Sequence, residues 1–272
     1  MTLPRERESC LNPALPPEAL ARDGSSPHPY RSALWVVLAG YALLTVVMLA
    51  VGLVLTHALD GSVGRWDEHV NDYFARHRTG TWNDLTSIAT AAMNTLPVVI
   101  GAALVVGFLS LRHRFAEAAF LTLALVIEIT VFLSVTFVVA RPRPNVPRLN
   151  STPATSSFPS GHTAAATVLF VGIAVIVACC TRKVLARLAS DLVAAAAPAI
   201  VGFSRVYRGL HHPTDVFVGL LFGLACLLIS AVAVRAATAR LRARRAQDGP
   251  ALPDDAVQKN RLIGFTAAST SR

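Results

Sequence analysis

Residues 118–140 read AAFLTLALVIEITVFLSVTFVVA and run directly into Arg141-Pro142-Arg143-Pro144. A bilayer core takes roughly 20 apolar residues per helix, and this stretch meets that length with Glu128 as its single charge. No period-2 alternation is present. In lipid every backbone polar group must be satisfied within the element, so the stretch predicts a membrane-spanning helix that ends at a basic, proline-rich loop.

Five further stretches have the same character: 33–56, 85–111, 163–181, 188–203 and 216–234. The fifth in chain order, 188–203, is short, Ala-rich and carries Asp191; the second, 85–111, contains Pro97 and is expected to use only part of its run. Composition agrees with a bilayer setting. Hydrophobic residues make up 53% of the chain and charged residues 15%, against about 25% charged in soluble domains, and the mean hydropathy is +0.52. The expectation is an all-α polytopic membrane protein with six spans. Residues 1–32 form a polar N-terminal tail, 33–234 the membrane domain, and 235–272 a basic tail. Both tails read as mobile extensions. The N-terminus does not read as a cleavable signal, because it is polar and Pro-rich and its first apolar run exceeds the about 7–15 residues of a signal core.

Lys and Arg placement predicts orientation. With six spans, the termini share a side with loops 112–117 and 182–187, and these regions hold 17 of the 25 basic residues. The opposite side holds 8. Both termini are therefore expected in the cytoplasm, in a cell-membrane protein. The net charge of +9 suits anionic lipid heads and not nucleic acid, since the Arg-rich tail lacks interleaved aromatics. Cys179, Cys180 and Cys226 fall in or beside spans and Cys10 in the N-terminal tail, which predicts neither a disulfide nor a metal cluster.

Span parity places three polar clusters on the external face: Arg141–Pro144, Pro159-Ser160-Gly161-His162, and Ser204-Arg205 followed by His211 and Asp215. Ser160, Gly161 and His162 open a span, so backbone N–H groups and the helix dipole would form an anion site, with Gly161 admitting close approach. Arg143 and Arg205 offer planar donors matched to phosphate oxygens. His211 and Asp215 are spaced to share one helical face. Asp215 would fix the His211 tautomer and leave the other ring nitrogen free to attack phosphorus. His162 would protonate the departing oxygen and later activate water. Taken alone, Ser-Gly-His is more often a helix cap, Arg-Pro-Arg-Pro a solvated span end, and His-x-x-x-Asp a structural hydrogen bond. Their order, spacing and shared side favour chemistry. No clustered carboxylates or His pair with ligand spacing accompany them, so no metal or cofactor is expected.

These segments resemble the signature motifs of the type 2 phosphatidic acid phosphatase family, which includes vanadium-dependent haloperoxidases. The family pattern is Lys-x6-Arg-Pro, then Pro-Ser-Gly-His, then Ser-Arg-x5-His-x3-Asp, and the resemblance covers about residues 85–235. It implies a six-helix bundle, a phosphohistidine on His211, His162 as general acid, and phosphate binding by Arg143, Ser160, Gly161 and Arg205. The first motif departs from the pattern: Thr136 occupies the Lys position before Arg143, and Ser134 the one before Arg141. Arg141 and Arg148 are candidates for the missing charge.

Other polar residues carry less. Glu128 reads as a residue hydrogen-bonded or protonated inside the bundle in preference to a proton or headgroup relay, and His212 as a cap or surface group in preference to a second base. Tyr207 and Arg208 read equally as site-lining residues or as packing and headgroup contacts. Gly219 and Gly223 permit close helix packing within the chain, and nothing here assigns an oligomer. The aromatic segment 66–82 reads as an interfacial helix. The expected function is hydrolysis of a lipid phosphate or diphosphate (polyprenyl diphosphate, phosphatidate or phosphatidylglycerol phosphate), with membrane lipids as surroundings. The alternatives are a lipid phosphotransferase using the same intermediate and a non-enzymatic transporter or phosphate-binding protein.

Overall fold

A computed structural model describes residue 11, residues 30–151 and residues 155–247; among these there are helices and no strands. The helices are α1 (Arg31–Leu53), α2 (Arg65–Arg76), α3 (Gly80–Ala92), α4 (Thr95–Leu111), α5 (Phe115–Val139), α6 (Gly161–Cys180), α7 (Val184–Tyr207) and α8 (Pro213–Gln247). Two π-helical turns, Val54–Ala58 and Asp60–Gly64, join α1 to α2. Five stretches are long and apolar enough to cross a membrane: Arg31–Ala58, Phe115–Val139, Gly161–Cys180, Val184–Tyr207 and Pro213–Arg244. A sixth forms if α3 and α4, bent by 51° at their junction, count as one broken span. The protein is thus an all-α, multi-pass membrane protein.

Helix α6 is central and packs on α5, α7 and α8, while α8 also lies against α1 and α5. The core is apolar, with Phe120, Leu121, Val131, Val135, Phe158, Val168 and Phe222 almost fully buried. Leu43, Leu104, Phe137, Leu185 and Leu228 point outward, as expected of helix faces solvated by lipid tails. Lipid tails are as apolar as these side chains, so helix association depends on close approach rather than on hydrophobic transfer. Gly219 and Gly223 supply it within the chain. A Cβ at Gly219 would lie 2.7 Å from the Ser160 carbonyl oxygen, and one at Gly223 2.8 Å from that of Ala164. Glu128 is buried inside the bundle, on the core side of α5.

Four expectations change. The second span breaks at Met93-Asn94 and not around Pro97, which sits in the first turn of α4 where its missing N–H costs nothing. Helix α8 continues past the predicted span to Gln247, because the Ala- and Arg-rich 235–247 segment has high helix propensity. That part of the basic tail is therefore ordered, and residues 248–272 lie outside the described residues. Leu11, assigned to a mobile tail, is buried in the core cluster, and the Thr238 hydroxyl donates to its carbonyl at 3.1 Å. Cys179 is disulfide-bonded while Cys180 and Cys226 are free thiols; pairing depends on chain proximity, which span placement does not report.

Candidate active site

The three motif segments meet at one end of the bundle. Arg141–Ser160 closes on itself: the Ser157 N–H donates to the Arg141 carbonyl (2.9 Å), the Arg141 N–H to Ser156 Oγ (3.0 Å), and Ser157 Oγ to the Pro142 carbonyl (2.8 Å). This pairing presents the Ser157 carbonyl to the imidazole of His211, with Nδ1 at 2.6 Å. A carbonyl can only accept, so Nδ1 carries the proton and the Nε2 lone pair is free. His211 is 4% exposed. Burial, and then the charges of Arg205 and Arg143, hold its pKa well below the usual histidine range, against the opposing pull of the Ser157 hydrogen bond. Its imidazole is therefore neutral at neutral pH, the state a nucleophile requires.

Asp215 does not hold the His211 ring as its spacing suggested: the nearest oxygen is 3.9 Å from Nδ1. Its Oδ2 instead accepts the His212 N–H (2.9 Å), and its Oδ1 accepts from Arg141 Nη1 (2.5 Å). As a helix N-terminal carboxylate it caps the turn that carries His211. Arg141, a candidate phosphate ligand from sequence, is fully engaged between two carboxylates, its Nη2 reaching Asp67 Oδ2 at 2.8 Å. It is 4% exposed, so it does not supply the charge that Thr136 leaves missing. Thr136, on the last turn of α5, is buried with Oγ1 unpartnered.

Arg143 and Arg205 are placed differently. Arg143 Nη1 donates to the Leu210 carbonyl (2.6 Å) and Nη2 to Thr155 Oγ1 (3.3 Å), while its Nε is buried without an acceptor. Burial, and then the charge of Arg148, lower the Arg143 pKa, so Arg148 adds to the same positive field. Arg205 is 5% exposed, and its buried Nε meets no acceptor among the described residues. A buried guanidinium without a counter-charge is costly. Neither guanidinium forms an ion pair with a carboxylate among the described residues, Asp67 and Asp215 both being held by Arg141.

Ser160 is fully buried. Its N–H donates to the Asp215 carbonyl (3.1 Å) and its Oγ pairs with Thr163 Oγ1 (2.9 Å), so it locks α6 to α8 instead of facing a ligand. Gly161 and His162 follow at the start of α6, where N–H groups have no intrahelical acceptor. A Cβ at Gly161 would lie 2.9 Å from the Phe132 ring. The His162 ring reaches Asn94 Oδ1 through Nε2 at 3.3 Å. Asn94 sits at the α3–α4 break, and sequence reasoning missed it because it is one of several uncharged polar residues (Thr86, Ser87, Thr90, Thr95) in the same charge-free run.

Sequence reasoning also missed the role of α2. This helix carries Trp66 and Tyr73 outward, as an interfacial helix would, but its buried face is polar: Asp67 and Asn71 are 0% and 1% exposed. Tyr207 and Arg208 brace the surrounding loops. Tyr207 Oη binds Asn83 Oδ1 (3.1 Å), and Arg208 donates to the Asn150 side chain, the Asn83 carbonyl and Thr86 Oγ1. Gly209 turns the chain immediately after them at φ +70°, where a Cβ would also meet Val146 at 2.7 Å.

Residues 116–239 match the family model of the PAP2 superfamily, in agreement with the resemblance seen in the motifs. A solved transmembrane PAP2 type phosphatidylglycerolphosphate phosphatase from Bacillus subtilis shares the fold, with a TM-score of 0.56 and 24% identity over 68% of this chain and 93% of that one. Aquifex aeolicus LpxE aligns with a TM-score of 0.48 and 24% identity, over 60% of this chain and 92% of that one. No curated protein matches the chain.

Proposed function

We propose that this chain, whose residues 116–239 match the PAP2 superfamily, hydrolyses a lipid phosphate or diphosphate at the membrane surface through a phosphohistidine on His211. The observation that carries the reading is the pairing of a neutral, Nδ1-protonated His211 with two arginines that form no ion pair with a carboxylate among the described residues, the buried Arg205 and the half-buried Arg143. A phosphate held by these guanidinia and by the first N–H groups of α6 would face the Nε2 lone pair. Nε2 attacks phosphorus, the bond from phosphorus to the lipid oxygen breaks, and His162 donates a proton to that oxygen. His162 then takes a proton from water, the water oxygen attacks phosphorus, and the N–P bond breaks to release inorganic phosphate and neutral His211. Positioned cations act on charge that develops at the transferring group, so they contribute where the barrier is highest.

Purified protein is expected to release phosphate from at least one of phosphatidate, phosphatidylglycerol phosphate and polyprenyl diphosphate in the presence of EDTA. His211→Ala should reduce the rate to background, and acid-labile, base-stable label from 32P substrate should be trapped on wild-type protein alone. Turnover that survives in His211→Ala would overturn the nucleophile assignment. An alcohol acceptor added to the same assay separates hydrolysis from phosphotransfer by the product formed.

A further inference from the structure

We propose that Asn71 and Asp67 of α2 are positioning residues for the nucleophile, acting through the backbone of the 206–215 turn. The proposal rests on the phosphohistidine reading above. Helix α2 precedes the segment that matches the PAP2 superfamily, yet it reaches under the site with two buried polar side chains one helical turn apart.

Asn71 Nδ2 donates to two carbonyls, those of Val206 (3.2 Å) and His211 (3.1 Å). Both are acceptors, which fixes the amide orientation, and the opposite atom Oδ1 is left buried without a partner. An arrangement chosen for stability alone would satisfy both ends of the amide. This one holds the two ends of the turn between α7 and α8 at a fixed separation, and His211 projects from its far end. Asp67 does the equivalent for the start of α8. Its Oδ1 accepts the Thr214 N–H (3.1 Å) and its Oδ2 the Thr214 hydroxyl (2.5 Å). Arg141 Nη2 binds that same oxygen, and Arg141 Nη1 continues to Asp215. Asp67, Arg141, Asp215 and the His212 N–H thus form one continuous buried chain, and Asn71 holds the residue just before it.

The consequence is a separation of labour. Arg143 and Arg205, the phosphate-binding candidates, make no direct hydrogen bond to α2 among the described residues, whereas the direction of the His211 Nε2 lone pair depends on backbone that α2 holds directly. Removing the donor of Asn71 should therefore slow attack without weakening phosphate binding. A small misplacement of a reacting group costs on the order of 10²-fold in rate.

The test compares wild type with Asn71→Asp, which keeps the shape and loses the donor, Asn71→Gln, which retains a donating amide, and Asp67→Asn, which keeps one acceptor oxygen for Thr214 and removes the negative charge that faces Arg141. Steady-state rates in detergent would be read with vanadate affinity and with 15N-histidine NMR of the His211 tautomer. In Asn71→Asp the expectation is a kcat about 10²-fold lower, KM and vanadate affinity within about threefold of wild type, and a shifted His211 resonance. Asn71→Gln should recover part of the rate, and Asp67→Asn should fall in kcat in the same way. An unchanged kcat in Asn71→Asp overturns the proposal, as does a vanadate affinity that falls in parallel with kcat. If Asn71→Asp does not fold, Asn71→Gln and Asp67→Asn carry the same comparison. Wild-type protein inactive on every substrate would instead defeat the phosphohistidine reading, leaving the tautomer measurement to decide the positioning of His211.

Discussion

Arg205 and Arg143 set the electrostatic character of the site at the scale of single residues. Each is mostly buried and neither pairs with a carboxylate, because Arg141 takes both Asp67 and Asp215. That division was not legible in the sequence, where Arg141 and Arg143 stand two apart in the same motif. One binds inward to α2 and α8 and the other to the turn before α8, a difference that only the closed 141–160 loop decides. The uncompensated positive charge acts on His211, whose pKa is lowered by burial and then by Arg205 and Arg143. Protonated His211 cannot attack, so activity is lost as pH falls through its pKa. With that pKa depressed, the acid limb of kcat/KM lies below the ordinary histidine value of about 6.5. Arg143→Gln removes one of the lowering charges, so the limb should move to higher pH while the plateau falls by about 10²–10³-fold. The substrate's own ionisation is common to both proteins and drops out of the comparison. A limb that stays in place, or moves to lower pH, would mean that His211 is not the titrating group.

Helices and their junctions hold these residues in register, and they were unequally legible. The cores of all six predicted spans coincide with helices, since a run of about 20 apolar residues has few alternatives in lipid. The junctions did not follow from composition. Pro97 was an obvious breaker but is harmless in the first turn of a helix, whereas the break falls at Asn94, one uncharged polar residue among several in the run, and brings its amide to His162. The polar face of α2 was invisible for a related reason: Asp67 and Asn71 share a helical face with i,i+4 spacing, a pattern that solvent-exposed residues show equally often. The glycine pair on α8 was read correctly as an intramolecular contact. It also bears on the candidate site, because Gly219 lies against the Ser160 carbonyl and Ser160 begins the α6 turn that carries His162. Gly219→Ala would place a Cβ 2.7 Å from that backbone oxygen, and a backbone atom cannot rotate away. The two helices must separate, at a cost of about 1–3 kcal/mol for such overpacking. A lower Tm in detergent, with a decrease in activity at temperatures where the variant is still folded, is the expected result. Unchanged stability would show that α6 and α8 are not in tight register at this point.

Across the whole molecule the decisive quantity is which side of the membrane each loop occupies. Three segments distant in the chain converge at one end of the bundle, and α2 meets them there through Asp67 and Asn71, as span parity requires if α3 and α4 together cross the membrane once. The 51° bend keeps that crossing from being a formality, because a bent pair could instead enter and leave on the same side, which would put the two termini on opposite faces. The position of α2 separates these cases. Asp67 accepts hydrogen bonds from Arg141 and Thr214, and Asn71 donates to the carbonyls of Val206 and His211, so α2 shares a face with the motif segments and α3 and α4 cross once. With α3 and α4 as one crossing, 17 of the 25 Lys and Arg residues share the side of the termini, and several on the other side are held inside the site by Asp67, Asp215 and backbone carbonyls. Positive loops are retained in the cytoplasm, which predicts an external site with cytoplasmic termini. Single cysteines introduced at Ser62 and at Lys183, both exposed and in regions predicted to face opposite sides, test this in a Cys180→Ser background. A membrane-impermeant maleimide should label Ser62→Cys in intact cells and Lys183→Cys only after lysis. The reversed pattern would place the site in the cytoplasm and overturn the orientation. Labelling of both positions in intact cells would mean that an odd number of crossings separates the 57–84 region from α6, and that α3 and α4 form a re-entrant pair instead of a span.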